Sequence, residues 1–166
     1  MRRAVLWIAL ALLVGLPMLL LAAGQAGLLA GRPPQGLGVQ DGRLKAPRTT
    51  PNNVHSQADA FGPAYAHARI EPLPWLGSDG GDGATTLTRL RALVEATPGA
   101  RVIEARADYL RVEYTTRRLK FVDDAEFWAD PSARVLQVRS ASRLGRGDHG
   151  VNRARIEDLR RRLAGG

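Results

Sequence analysis

The sequence predicts an α+β domain: an antiparallel meander of four to five strands with two helices packed on one face, in the order β-α-β-β-β-β-α. Three observations predict it. Apolar residues recur at helical spacing in two segments, one opening near Thr85 and one running from Val151 to Leu163. Between them lie four segments whose polarity alternates with period two. The breaks between those four, such as Ala107-Asp108 and Asp130-Pro131, are short enough for hairpins, so neighbours run antiparallel and the helices gather on one side.

The elements follow in chain order. Residues 4–23, "AVLWIALALLVGLPMLLLAA", carry no charge and follow Arg2 and Arg3. About twenty apolar residues suffice to cross a bilayer as a helix, and a positive N-terminal flank favours the cytoplasm, which would put the rest of the chain outside it. Residues 1–27 are therefore a transmembrane anchor or a signal peptide. The run exceeds the roughly 7–15 apolar residues of a signal core, which favours the anchor, whereas the small residues Ala22-Ala23-Gly24 suit cleavage. Residues 28–53, with "GRPPQGLG" and "APRTTPNN", read as a flexible tether. The domain then occupies 54–166.

Within the domain, "AYAHARIEPLPW" contains a short extended run that Pro72 and Pro74 end or push to a sheet edge. "LGSDGGDGA" (76–84) is a loop; its Asp79 and Asp82 lack the spacing and terminal Glu of a calcium loop, and no metal is expected. Thr85 or Thr86 would cap the first helix, whose stripe is Leu87, Leu90 and Val94, and Thr97-Pro98-Gly99 stops it. Strands follow at 101–106, 109–116, 120–129 and 133–141. In the second, Leu110, Val112 and Tyr114 alternate with Arg111, Glu113 and Thr115, the pattern of a sheet with one buried face. Ile156, Leu159 and Leu163 form the stripe of the last helix.

Composition narrows the function classes. The chain has 166 residues, room for one modest domain. It has no cysteine, which removes disulfides, thiol catalysis, Cys-based metal sites and lipidation after "LAAG". Lys and Arg number 24 against 16 Asp and Glu, a net charge of +8, and Lys45 and Lys120 are the only lysines. A basic surface outside the cytoplasm suits anionic headgroups or polyanions. Nucleic acid is not expected as a partner: the topology is wrong, and aromatic residues, 5% of the chain, leave little for base stacking. The expected partners are the membrane, an anionic ligand or another envelope protein, with no cofactor.

The segment "RSASRLGRGDHGVNRAR" (139–155) holds the densest polar constellation. Gly145 to Gly150 spell G-x-G-x-x-G, but the chain ends sixteen residues later, before the second parallel strand that a dinucleotide site requires. Arg146-Gly147-Asp148 reads as turn chemistry, with Asp148 or Asn152 placed to cap the last helix. What remains is glycine-rich backbone at a helix N-terminus, ringed by Arg139, Arg143, Arg146, Arg153 and Arg155, a setting able to hold an anion. The competing expectation is internal pairing with Asp123, Asp124 and Glu126. Strand alternation keeps the two aspartates from both pointing inward, so at least one should meet Arg139 or Arg155. The candidate residues are thus Asp123, Asp124, Glu126, Arg139, Ser140, Ser142, Arg143, Asp148, Asn152 and Arg155. The alternative class is a hydrolase using Asp123 and Asp124 as an acid–base pair, or Ser142 as nucleophile with His149 as base.

"PNNVHSQA", "RIEPL", "YLRVEYTTRRLKFVDDAEFW" and "VRSASRLGRGDHGVNRARIEDLR" together resemble domain of unknown function family 1499, over about residues 50–163. The resemblance rests on the D-D-x-E-F and R-S-x-S-R-x-G-x-x-D-x-G-x-N-R-x-R patterns. It implies an envelope or lumenal protein, often behind a signal, lipobox or membrane helix, and brings no activity, cofactor or catalytic residue. Asn53 and His55 stand where the family's pattern often has Cys and Ser.

Overall fold

The computed structural model of the protein describes residues 2–76 and 81–165. Helix α1 (Arg2–Gln25) is exposed along nearly its whole length and contains Pro17. It is long and apolar enough to cross a membrane, and is equally compatible with a signal sequence.

The domain is α+β. Its main sheet has strands β3 (Asn53–His55), β4 (Leu73–Pro74), β5 (Ala100–Ala105), β6 (Tyr109–Thr115), β7 (Val122–Asp130) and β8 (Val135–Ser142). The order is β3-β8-β7-β6-β5, antiparallel throughout, and β4 shares the β8 edge with β3. The meander is the one expected from period-two alternation. β3 and β4 are short because 3-10 turns at 58–61 and 63–68 and the prolines at 72 and 74 interrupt that part of the chain. A separate hairpin pairs β1 (Val39–Gln40) with β2 (Arg43–Leu44).

Helices α2 (Gly83–Glu95) and α3 (Val151–Ala164) lie on one face of the sheet. Leu87, Leu90 and Val94 of α2 and Ile156, Leu159 and Leu163 of α3 close over Leu110, Val112, Ala125, Phe127, Leu136 and Val138. Each fully buried large aliphatic or Phe side chain contributes roughly 1.5–3 kcal/mol. The cap of α2 is Asp82, neither Thr85 nor Thr86: its carboxylate accepts from Thr85 N at 2.5 Å, while the buried Thr86 hydroxyl accepts from Leu76 N. Asp79 lies outside the described residues.

Two expectations are corrected together. The segment 28–53 is not a free tether, and the sheet does not have one buried face. Leu44, Asn52 and Asn53 are buried, Gly38 N donates to Glu126 at 2.7 Å, and Arg48 donates to the carbonyl oxygen of Ser142. This segment covers the sheet face opposite the helices, so the polar residues alternating out of the apolar core are buried as well. The prolines and glycines that read as slack instead let an irregular chain follow that face.

Candidate anion-binding site

Strand register sorts the predicted residues onto two faces. Asp123 points with Ala125 and Phe127 toward the helices; Asp124 and Glu126 point away. Both aspartates are buried and both are paired, where at least one pair was expected. Asp123 meets Arg155 at 2.6 Å, and Asp124 meets Arg143 at 2.7 Å and Arg111 at 3.4 Å. Standing on opposite faces of one strand, the two carboxylates cannot share one reacting bond.

On the helix side, the 139–155 segment is tied down by two asparagines. Asn152 accepts from the Ser140 hydroxyl at 2.5 Å and donates to Ser142 Oγ and Asp148 Oδ2. Asn52 donates to the carbonyl oxygen of Gly145. Asp148 accepts from Gly150 N and Asn152 N, each at 3.0 Å. Burial alone would raise the Asp148 carboxyl, but the bonds from Asn152 and Gly150 hold it below its usual range. The helix N-terminus therefore already carries its anion, supplied by the chain. Gly145 and Gly150 have φ of 83° and 78°, the left-handed conformations the turn needs. His149 is exposed, and among the described residues no hydrogen bond joins it to Ser142. The hydrolase arrangement is not assembled here.

The far face is a charged ladder. Register aligns Glu104, Arg111, Glu126, Arg139 and His55 across five strands, and beside them Arg101, Glu113 and Asp124. Glu126, fully buried, accepts from Arg139, from the Tyr109 hydroxyl at 2.8 Å and from Gly38 N. Burial and the Glu126 charge push the Tyr109 phenol well above its usual value. Burial pulls the Arg139 guanidinium down, against Glu126 and Asp124, which support its charge. Arg143 is raised, chiefly by its hydrogen bonds to Asp124, and it also bonds Glu113. His55, fully buried, accepts from Gln57 N at Nδ1 and lies 3.1 Å from the carbonyl oxygen of Lys45 through Nε2, which fixes the proton on Nε2. Burial, then Arg139, lowers its pKa to about 4. Asn53 grips the 48–50 turn, donating to the carbonyl oxygens of Arg48 and Thr50 and accepting from Arg48 N.

Between this face and the covering segment lies a cleft of about 290 Å³. Its charged lining is Arg32, Lys45, Arg48, Arg139 and Arg143 against one carboxylate, Asp124. Arg139 and Arg143 spend their charge on Glu126, Asp124 and Glu113. Lys45 donates to the carbonyl oxygen of Gln35 and Arg48 to those of Ser142 and Arg143, bonds that leave both charges unneutralised. Among the described residues Arg32 has no polar partner, and the buried Nε of Arg139 has none either. Sequence reasoning found Asp124, Ser142, Arg139 and Arg143. It missed Arg32, Lys45, Arg48 and His55, which lie in or next to the segment read as a tether; the signal was the run of cations among its prolines.

Fold and site define a class: a small α+β domain behind an apolar N-terminal helix, with a covered, charged sheet face and a cationic cleft at its edge. The chain belongs to the family described as "Protein of unknown function (DUF1499)", whose model matches residues 43–163. The match takes in Arg48 and Lys45 of the covering segment as well as the sheet. No curated protein and no solved structure matches the chain.

Proposed function

We propose that this is a membrane-anchored, extracytoplasmic binding domain, without catalytic activity of its own, whose cleft receives an anionic group. The observation that carries the reading is the uncompensated charge of Arg32, Lys45 and Arg48 around a concave surface floored by Arg139 and Arg143. A phosphate, sulfate or carboxylate entering there meets three cations not already committed to carboxylates, in a partly enclosed site where charge is screened less than on an open surface. The glycine loop at 145–150 contributes rigidity, since Asp148 fills its donor groups. The positively charged flank of α1 supports export of the domain.

The test is melting of the full chain in detergent against inorganic phosphate, sulfate and citrate. A ligand present at 100 times its Kd stabilises the native state by about 2.7 kcal/mol. The expected result is a saturable rise in Tm for at least one anion, lost in the Arg32→Ser/Arg48→Ser variant. A rise of equal size in the variant, or none in the parent, refutes the cleft as an anion site.

A further inference from the structure

We infer that the end of the sheet next to α1 is a lipid-facing surface, seated on the anionic headgroups of the membrane that α1 enters. This rests on the anchored reading and adds to it the orientation of the domain.

Where α1 ends, it touches the domain directly. Gln25 Nε2 donates to the carbonyl oxygen of Arg118 at 2.8 Å, and Gly24 is buried against Leu119: a Cβ there would lie 2.5 Å from the Leu119 carbonyl oxygen. Farther on, Gly31 packs against Arg143 and Leu144. No spacer separates the membrane helix from the domain. At about 1.5 Å per residue, the 24 residues of α1 span roughly 36 Å, somewhat more than the hydrocarbon core of a bilayer. Gln25 then falls among the headgroups, and so does whatever it touches.

What it touches has the chemistry of a headgroup-binding rim. The turn between β6 and β7, closed by Thr116 and Phe121, carries Arg117, Arg118 and Lys120, and the loop before α3 carries Arg146. Among the described residues none of these four side chains has an ion-pair partner. The segments 24–31, 116–121 and 143–151 together hold one carboxylate, Asp148, and it is taken by Gly150 and Asn152. A second observation is independent of charge. Outside α1, the exposed large hydrophobic residues among those described are Leu28, Phe121, Leu144 and Val151, and all four lie on these segments. Exposed apolar side chains interleaved with cations, gathered at one end and beside a membrane helix, suit the interface between headgroups and acyl chains. Among the described residues, the opposite end of the sheet, around Ser132, shows no such exposed apolar group.

The natural absence of cysteine makes the test clean. Phe121→Cys, Leu144→Cys and Ser132→Cys are made singly in the full chain, labelled with a fluorophore and placed in nanodiscs of phosphatidylcholine and phosphatidylglycerol carrying nitroxide headgroups. Labels at 121 and 144 should be quenched at least three-fold more than the label at 132. Adding Arg117→Glu/Arg118→Glu/Lys120→Glu should bring the value at 144 down toward that at 132, in a protein whose circular-dichroism melting is unchanged. Disc-inserted chain with equal quenching at all three sites overturns the lipid-facing surface and leaves the anchor standing. Chain recovered without α1, read by mass, overturns the anchored reading and this one with it.

Discussion

The two faces of the central sheet are both buried, by opposite means. Toward the helices, Leu110, Val112, Phe127 and Val138 pack on α2 and α3. Away from them, Glu126 pairs with Arg139, Asp124 with Arg111 and Arg143, and Glu113 with Arg143, beneath residues 32–48. The apolar face is held by area removed from water, which is indifferent to exact geometry and tolerates swaps of equal volume. The charged face must offset the desolvation of every ion with a partner at the right distance, so it specifies one arrangement and tolerates little. A stretch of chain with few apolar residues can cover such a face because Gly38 and Arg48 bring hydrogen bonds in place of hydrophobic area.

The contrast is sharpest at Glu126. Glu126→Ala leaves Arg139, the Tyr109 hydroxyl and Gly38 N without an acceptor, and should destabilise the domain by about 3–5 kcal/mol in urea unfolding. Combining Glu126→Leu with Arg139→Met should recover part of that loss, with a coupling of about 2 kcal/mol in a double-mutant cycle. Strict additivity would break the comparison, because the charged face would then behave as independent contacts.

Next in size is a pH effect confined to the charged face. The unfolded His55 side chain takes up its proton near pH 6.5 and the folded one only near about 4. Its contribution is therefore whole above pH 6.5 and declines as pH falls through that window, by about 3 kcal/mol in total. His55→Gln should flatten this part of the stability–pH curve measured by chemical denaturation; an unchanged slope would place the titration elsewhere.

Smaller still are conservative swaps. Leu136→Met on the apolar face should cost under about 1.5 kcal/mol. Arg139→Lys should cost more, since the ammonium lacks the planar fork that reaches Glu126. Equal losses for the two would erase the distinction between the faces. The smallest effect is at the loop: Asp148→Ala should cost about 1 kcal/mol of thermal stability through the lost cap on α3.

The meander and both helices were legible because period and turn chemistry are local properties. Ile156, Leu159 and Leu163 announce a helix face without knowledge of what they touch. The charged face was legible only as alternation. Arg111 and Glu113 have the same spacing whether water or protein covers them, and the covering chain has no period of its own to announce it. Mistaking 28–53 for a tether and expecting only one buried face were thus one error, whereas the internal pairing of Glu126 was among the alternatives the sequence offered. The bond from the first turn of α3 to Asp148 was legible because such bonds are local, although the N-cap position itself is Gly150, whereas Asp82 was passed over in favour of two threonines that follow it. Of the cleft cations, Arg139 and Arg143 were legible in the polar 139–155 segment, whereas Arg32, Lys45 and Arg48 join them only through the fold.

The pairing of β3 with β8 carries a consequence for the birth of the protein. Asn53 lies opposite Ala141, so the strand that holds the covering segment in place has to wait for a partner 88 residues further along the chain to emerge. During synthesis residues 32–55 stay undocked while the meander forms hairpin by hairpin. Only when β8 arrives does Glu126 gain Arg139, and only then is there a finished edge for Asn53 to join. Truncation just before β8 should therefore leave an intermediate with its acidic strand exposed, the form in which nascent chains are most open to proteases and chaperones.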